Sequence, residues 1–189
     1  MEVLQEKKEN FLIEIIKASI IAIIIVVPIR FYIAQPFIVS GASMNPTFES
    51  GHYLIVDQLN YRFNEPERGE VVIFKFPKDL RKFFIKRIIG LPGETVQAKR
   101  GVITITNIMN PDGFVLDEPY VDTRNQTFDS YLITLAPDEY LVLGDNRRGS
   151  SDSRIWGPLK EDLLIGRAYL RLLPVSAVSK LPGDYSDNY

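Results

Sequence analysis

Two hydrophobic patterns divide the chain. The first is an apolar run: residues 11–33 read FLIEIIKASIIAIIIVVPIRFYI, and the twelve residues Ala18–Ile29 carry no charge and a single polar side chain, Ser19. With Ile15, Ile16, Phe31, Tyr32 and Ile33 the stretch reaches the roughly 20 apolar residues of a membrane span, and Lys17 and Arg30 can snorkel to the two interfaces. An unbroken Ile/Val run has no polar face to turn toward water, which favours an anchor over a buried soluble helix. The expected division is an N-terminal segment at 1–14, a transmembrane anchor at 15–34 and a separate domain at 35–189. Lys7, Lys8 and Lys17 precede the uncharged core of the span, so its N-terminus is expected to be cytoplasmic and the domain extracytoplasmic. Ser40-Gly41-Ala42 also fits the small-x-small pattern of a cleaved leader. Arg30 and Gln35 interrupt the path to it, so an uncleaved anchor is the better reading.

The second pattern is a series of β-branched and aromatic runs. HYLIVDQL (52–59), EVVIFKF (70–76), RKFFIKRII (81–89), ETVQAKRGVITIT (94–106) and YLITLAPDEYLVLGD (131–145) are bounded by turn formers such as Pro92-Gly93, Pro111-Asp112-Gly113 and Gly144-Asp145-Asn146. No 3.6-residue period follows the anchor, and Asp162–Gly166 reads as a helical turn or the start of a last strand. The expected fold is mainly β: an antiparallel β domain on one N-terminal transmembrane helix.

Composition narrows the chemistry. At 189 residues with 46% hydrophobic side chains, one core of ordinary size is within reach, and a net charge of -2 gives no argument for nucleic acid. The absence of cysteine removes disulfides, thiolate metal sites and cysteine nucleophiles together. A single histidine, His52, disfavours a histidine metal site and limits a Ser-His-Asp triad to one candidate.

Three stretches can carry chemistry. In SGASMNPTF (40–48), small residues around Ser43 permit the close backbone approach that acyl transfer needs, though a serine among small residues is more commonly a turn. In RKFFIKRIIGLPGE (81–94), strand alternation places Lys86 on one face with Phe84 and Ile88, and Arg87 on the other with Ile85 and Ile89. A lysine among apolar neighbours is desolvated and loses its proton more easily, which suits a general base; the commoner alternative is an edge lysine facing water. In GDNRRGSSDSRIWG (144–157), Asp152 with Arg154, or Asp145 with Arg147, can form a scaffold, and Ser150 or Ser153 can orient a lysine. An exposed polar loop is the plainer alternative.

Together these stretches resemble the motifs of type I signal peptidases, membrane-anchored serine proteases. The resemblance runs from the anchor through Gln35-Pro36-Phe37 to about Pro174. SGASMNPTF is similar to the family's nucleophile motif, RGEVVIF (68–74) to its next, KRIIGLPGE (86–94) to its lysine motif and GDNRRGSSDSR (144–154) to its last. NPDGFVLDEPYV (110–121) is similar to a segment between them. The resemblance implies Ser43 as nucleophile and Lys86 as general base. It implies Ser150 as the residue orienting the lysine, with Asp145, Arg147, Asp152 and Arg154 supporting. It also implies preprotein signal peptides as substrates, cut after small residues at the first and third positions before the bond, with no metal and no cofactor. The stretch 37–40 can pair with substrate as an added strand. Phe37, Val39, Met44, Phe48 and Phe84 are the candidate substrate-binding residues.

Three positions depart from the motifs. Gly41 stands where some members carry a serine that helps bind the oxyanion, Glu70 where Asp is usual, and His52 where Asp is frequent. The chain is short, like single-anchor forms of the plasma or thylakoid membrane. A self-cleaving Ser-Lys protease of the repressor type and a non-enzymatic anchored β domain are the alternatives. The anchor, and the lack of a DNA-binding helix pair, weigh against the repressor type. The non-enzymatic domain would tolerate loss of Ser43 or Lys86.

Overall fold

The structure, a computed structural model, describes residues 2–28 and 34–186, with side chains over 11–27 and 35–186. Helix α1 spans Glu2–Pro28. Every described side chain on it, from Phe11 to Val27, is exposed. Among the described residues no helix is long and apolar enough to cross a membrane. The anchor expected at 15–34 continues over residues 28–34, outside the described side chains.

The rest is β. The strands are β1 (Ala34–Ile38), β2 (Tyr53–Asp57), β3 (Val71–Phe76), β4 (Asp79–Gly90), β5 (Thr95–Lys99), β6 (Val102–Thr106), β7 (Phe114–Val115), β8 (Tyr131–Thr134), β9 (Glu139–Leu143), β10 (Leu159–Lys160), β11 (Leu164–Leu173) and β12 (Ser179–Lys180), with one short helix, α2 (Ser153–Trp156), between β9 and β10. The larger sheet runs β1-β2-β11-β3-β4-β9-β10, with β12 beside β11, and the smaller runs β7-β6-β5-β8. Every pairing is antiparallel. The run 94–106 turns back on itself at Gly101, whose φ is +82°, a conformation glycine adopts without strain. The run 131–145 likewise divides into β8 and β9. Asp162–Gly166 spans a 3-10 turn at Glu161–Leu163 and the start of β11, which is not the last strand, because β12 follows it.

Burial follows the period of two. On β3, Val71 and Ile73 join Val39, Met44, Phe48 and Leu54 on one side of the sheet, while Val72 and Phe74 join Ile88, Val142 and Leu159 on the other. A third cluster packs Ile89, Leu141 and Leu143 of the larger sheet against Val96, Ala98, Ile103 and Ile105 of the smaller. Each fully buried side chain of this kind is worth ~1.5–3 kcal/mol. β4 therefore has cores on both faces, and any polar side chain on its inner half must find partners or give up its charge.

Candidate active site

The 40–48 loop hangs between β1 and β2. Val39 N–H donates to His52 O at 2.9 Å and Gly51 N–H returns to Val39 O at 2.9 Å, which closes the neck of the loop. Met44 and Phe48 are buried in the core and joined by a Phe48 N–H to Met44 O bond of 2.9 Å. Pinned at these two points, the loop leaves Ser43 half-buried at the surface of a cleft.

Lys86 reaches Ser43 from β4. Its Nζ donates to Ser43 Oγ at 2.8 Å and to Ile85 O at 2.8 Å. The side chain is only 3% exposed, and the Phe84 ring lies 5.3 Å from Nζ. Burial lowers its pKa to about 8, against the opposing pull of the Asp152 and Asp145 carboxylates. The alternation on β4 thus sets Lys86 beside Phe84 as the sequence pattern anticipates.

The cleft has a volume of about 500 Å³. Phe37, Val39 and Phe84 line it with Ser43 and Lys86, together with Leu54, Ile73, Phe83 and Ile85. Two candidates are corrected: Met44 and Phe48 do not line the cleft, since both point into the core beneath the loop, whereas Val39, Leu54 and Ile73 of the same cluster reach its wall. Apolar character alone does not distinguish a pocket wall from a core anchor.

The 144–154 loop packs against the same loop from the other side. Asn146 N–H donates to Ser43 O at 3.0 Å and Asn146 Nδ2 to Ala42 O at 3.0 Å. A Cβ on Gly144 would stand 2.3 Å from Ser150 Oγ and 2.4 Å from Ser43 O, so only glycine fits where the loops meet. Ser150 is buried there, and its Oγ has no hydrogen-bond partner among the described residues, so its contact to the lysine is not formed. Asp152 pairs with Arg154 as anticipated, Nε to Oδ1 at 2.8 Å, and also accepts from Gly144 N–H at 3.1 Å. The pairing of Asp145 with Arg147 is corrected. Asp145 takes a two-point bond from Arg87, Nε at 2.9 Å and Nη2 at 2.6 Å, and accepts from Thr47 Oγ1 at 2.5 Å. Arg147 turns to Glu118, with Nη1 to Oε2 at 3.2 Å. The loop bends through Asp145–Arg147 into a turn closed by Gly149 N–H to Asn146 O, so the two side chains project differently and each finds its charge partner in another element.

Arg87, Thr47, Glu118 and Asn146 are the site-forming residues that sequence reasoning missed. Arg87 carried a signal: on the face opposite Lys86 it had to be buried, and a buried arginine requires a carboxylate. His52 accepts from Glu49 N–H at 3.3 Å and leans on Phe48, with burial lowering its pKa.

Residues 12–173 match the family described as signal peptidase, peptidase S26. The chain is 37% identical over 182 residues to the Probable signal peptidase I-2 of Synechocystis sp., spanning 93% of this chain and 80% of that one. It is 35% identical over 184 residues to the signal peptidase I of Leptolyngbya laminosa, spanning 94% and 87%. A crystal structure of a signal peptidase I from Enterococcus faecalis is 29% identical, with a TM-score of 0.47 over 55% of this chain and 97% of that one.

Proposed function

The chain belongs to the S26 signal peptidase family of serine endopeptidases, and from that premise we propose that it removes signal peptides from exported preproteins with Ser43 as nucleophile and Lys86 as general base. The observation that carries this reading is the 2.8 Å approach of Lys86 Nζ to Ser43 Oγ at the edge of an apolar cleft. A serine hydroxyl is a weak nucleophile until a base takes its proton, and a lysine serves as that base only when desolvated.

The steps follow from the two side chains. Neutral Lys86 accepts the Ser43 proton as Oγ attacks the scissile carbonyl, forming the C–O bond. The resulting ammonium returns that proton to the departing amine as the C–N bond breaks, leaving an acyl-serine. Lys86 then deprotonates a water that attacks the ester, and Ser43 recovers its proton when the signal peptide leaves as a free carboxylate.

An extended substrate would add beside β1, an edge strand of the larger sheet, along residues 37–40, which line the cleft. Side chains one and three positions before the cut then point the same way, toward walls formed by Val39, Leu54, Ile73 and Ile85. Small residues fit at those two places. Residues 15–34 anchor the enzyme in its membrane with the N-terminus cytoplasmic. A helix whose described Ile and Val side chains, from Ile13 to Val27, are all exposed, such as Ile23 at 60% and Ile24 at 64%, calls for an apolar surrounding.

The test is incubation of the detergent-solubilised protein with a secretory preprotein and N-terminal sequencing of the product. A new N-terminus directly after a small-x-small triplet is expected, and cleavage elsewhere or none at all defeats the proposal.

A further inference from the structure

Arg87 is fully buried, and its N–H donors all require acceptors. Asp145 satisfies Nε and Nη2, and Gly69 O accepts from Nη1 at 2.7 Å. The second acceptor for Nη1 is Gly183 O, in segment 181–186 beyond β12. The same segment closes over the guanidinium. The Tyr185 ring lies 5.2 Å from Cζ and 5.1 Å from the Tyr120 ring, which itself covers Cζ at 3.8 Å. Leu181 N–H fastens the segment to β11 through Tyr169 O at 2.7 Å.

The segment also touches the loop that carries Ser43. A Cβ built on Gly183 would meet Thr47 Cγ2 at 2.4 Å, and its φ of +71° already disfavours a side chain. Thr47 in turn donates to Asp145. A continuous path of packed and hydrogen-bonded groups therefore runs from Gly183 through Arg87, Asp145 and Thr47 to the Ser43 loop, and along β4 to Lys86.

We propose that segment 181–186 is a strap that positions the reacting pair: by fixing Arg87 and Thr47 it holds Ser43 at hydrogen-bonding distance from Lys86. The inference rests on the Ser43–Lys86 reading. The strap lies past residue 173, where the family match ends. None of its residues lines the cleft, so it acts on the rate of the chemical step and not on substrate binding.

Gly183→Ala tests it, because the added methyl drives into Thr47. At a temperature below the melting point of every variant, kcat per site titrated with an acylating inhibitor is expected to fall at least tenfold, with KM within twofold. Adding Thr47→Ser removes the clashing methyl and keeps the hydroxyl, and is expected to recover at least threefold. A chain ending at Pro182 should show the same kcat loss without rescue. Wild-type kcat per titrated site in Gly183→Ala overturns the strap, and so does a loss that Thr47→Ser does not relieve. Ser43→Ala run in parallel separates the two readings. If it is active both fail, whereas if it is dead and Gly183→Ala is wild-type only the strap fails.

Discussion

Lys86 and Arg87 are consecutive on β4 and face opposite sides of the sheet, both almost wholly buried, with opposite provision for their charge. Arg87 meets a carboxylate at two points and backbone carbonyls besides. Lys86 meets a hydroxyl and one carbonyl, with no carboxylate in hydrogen-bond contact. One cation is held as a structural cross-link. The other is left short of counter-charge, which keeps its amine ready to be neutral.

Removing either member of the proposed pair should abolish turnover. Ser43→Ala and Lys86→Ala are each expected to lower kcat/KM at least 10³-fold on a preprotein or signal-peptide substrate, about 4 kcal/mol of transition-state stabilisation. His52→Ala should retain most activity, since its contacts are a Glu49 amide and the Phe48 ring. An active Lys86→Ala enzyme, or a dead His52→Ala enzyme, would reassign the base.

The rate should report the lysine. With a pKa of about 8, roughly one amine in ten is neutral at pH 7; at the free-lysine value of about 10.4 the fraction would be roughly 200-fold smaller. Because the neutral form is the reactive one, log kcat/KM is expected to rise with unit slope from pH 6 and to level off above about pH 8. A limb that keeps rising beyond pH 9.5 would show that the lysine is not desolvated.

The same shift has a cost in stability, of opposite sign to that of a paired group. The folded-state pKa lies below the unfolded one, so the unfolded chain binds the proton more tightly, and stability rises with pH between about 8 and 10.5. Below pH 8 the penalty is present in full, about 3 kcal/mol. Lys86→Met, apolar and of similar length, should therefore melt higher than the wild type at pH 6–7 while being inactive. Thermal melts across pH should show that advantage fading above pH 8.

Much of this site was legible in the sequence, and what was not has one physical origin. Runs of β-branched residues and their turns specify strands locally, and alternation on β4 is enough to separate Lys86 from Arg87. Which charges pair is a long-range matter. Arg87 and Asp145 are 58 residues apart, and Glu118 lies 29 residues before Arg147. Nothing near Asp145 distinguishes Arg147 from Arg87 as its partner, so the nearer one was the natural choice. Met44 and Phe48 failed as wall residues for a related reason: four apart in a tight loop, they serve as its anchors to the core.

Breaking the buried cross-link should be severe. Asp145→Ala leaves the Arg87 guanidinium buried without its counter-charge and removes the acceptor for Thr47. The expected loss is about 3–5 kcal/mol of stability, the usual cost of leaving one half of a buried pair. Denaturant melts should show it as a lower midpoint at an unchanged slope. Asp145→Asn, which keeps one acceptor oxygen, should fall between. A loss under 1 kcal/mol for Asp145→Ala would mean that the pair is not sealed from water.

The proposed anchor is testable apart from the chemistry. A lysine near the centre of a membrane helix costs about 2.5–3.5 kcal/mol, so Ile21→Lys/Ile24→Lys should nearly cancel insertion of a span whose uninterrupted apolar core is only Ala18–Ile29. After alkaline carbonate extraction the wild-type chain should stay in the membrane pellet and the double variant should move to the supernatant. In detergent both should cleave a short soluble peptide at the same kcat/KM, since no residue of α1 lines the cleft among those described. On membrane vesicles carrying a preprotein, the variant should be slower in proportion to the fraction released. That proportionality is the decisive reading: it would mean that the helix works by holding Ser43 at the membrane where signal peptides emerge. Equal vesicle activity from the released variant would remove the helix from the mechanism.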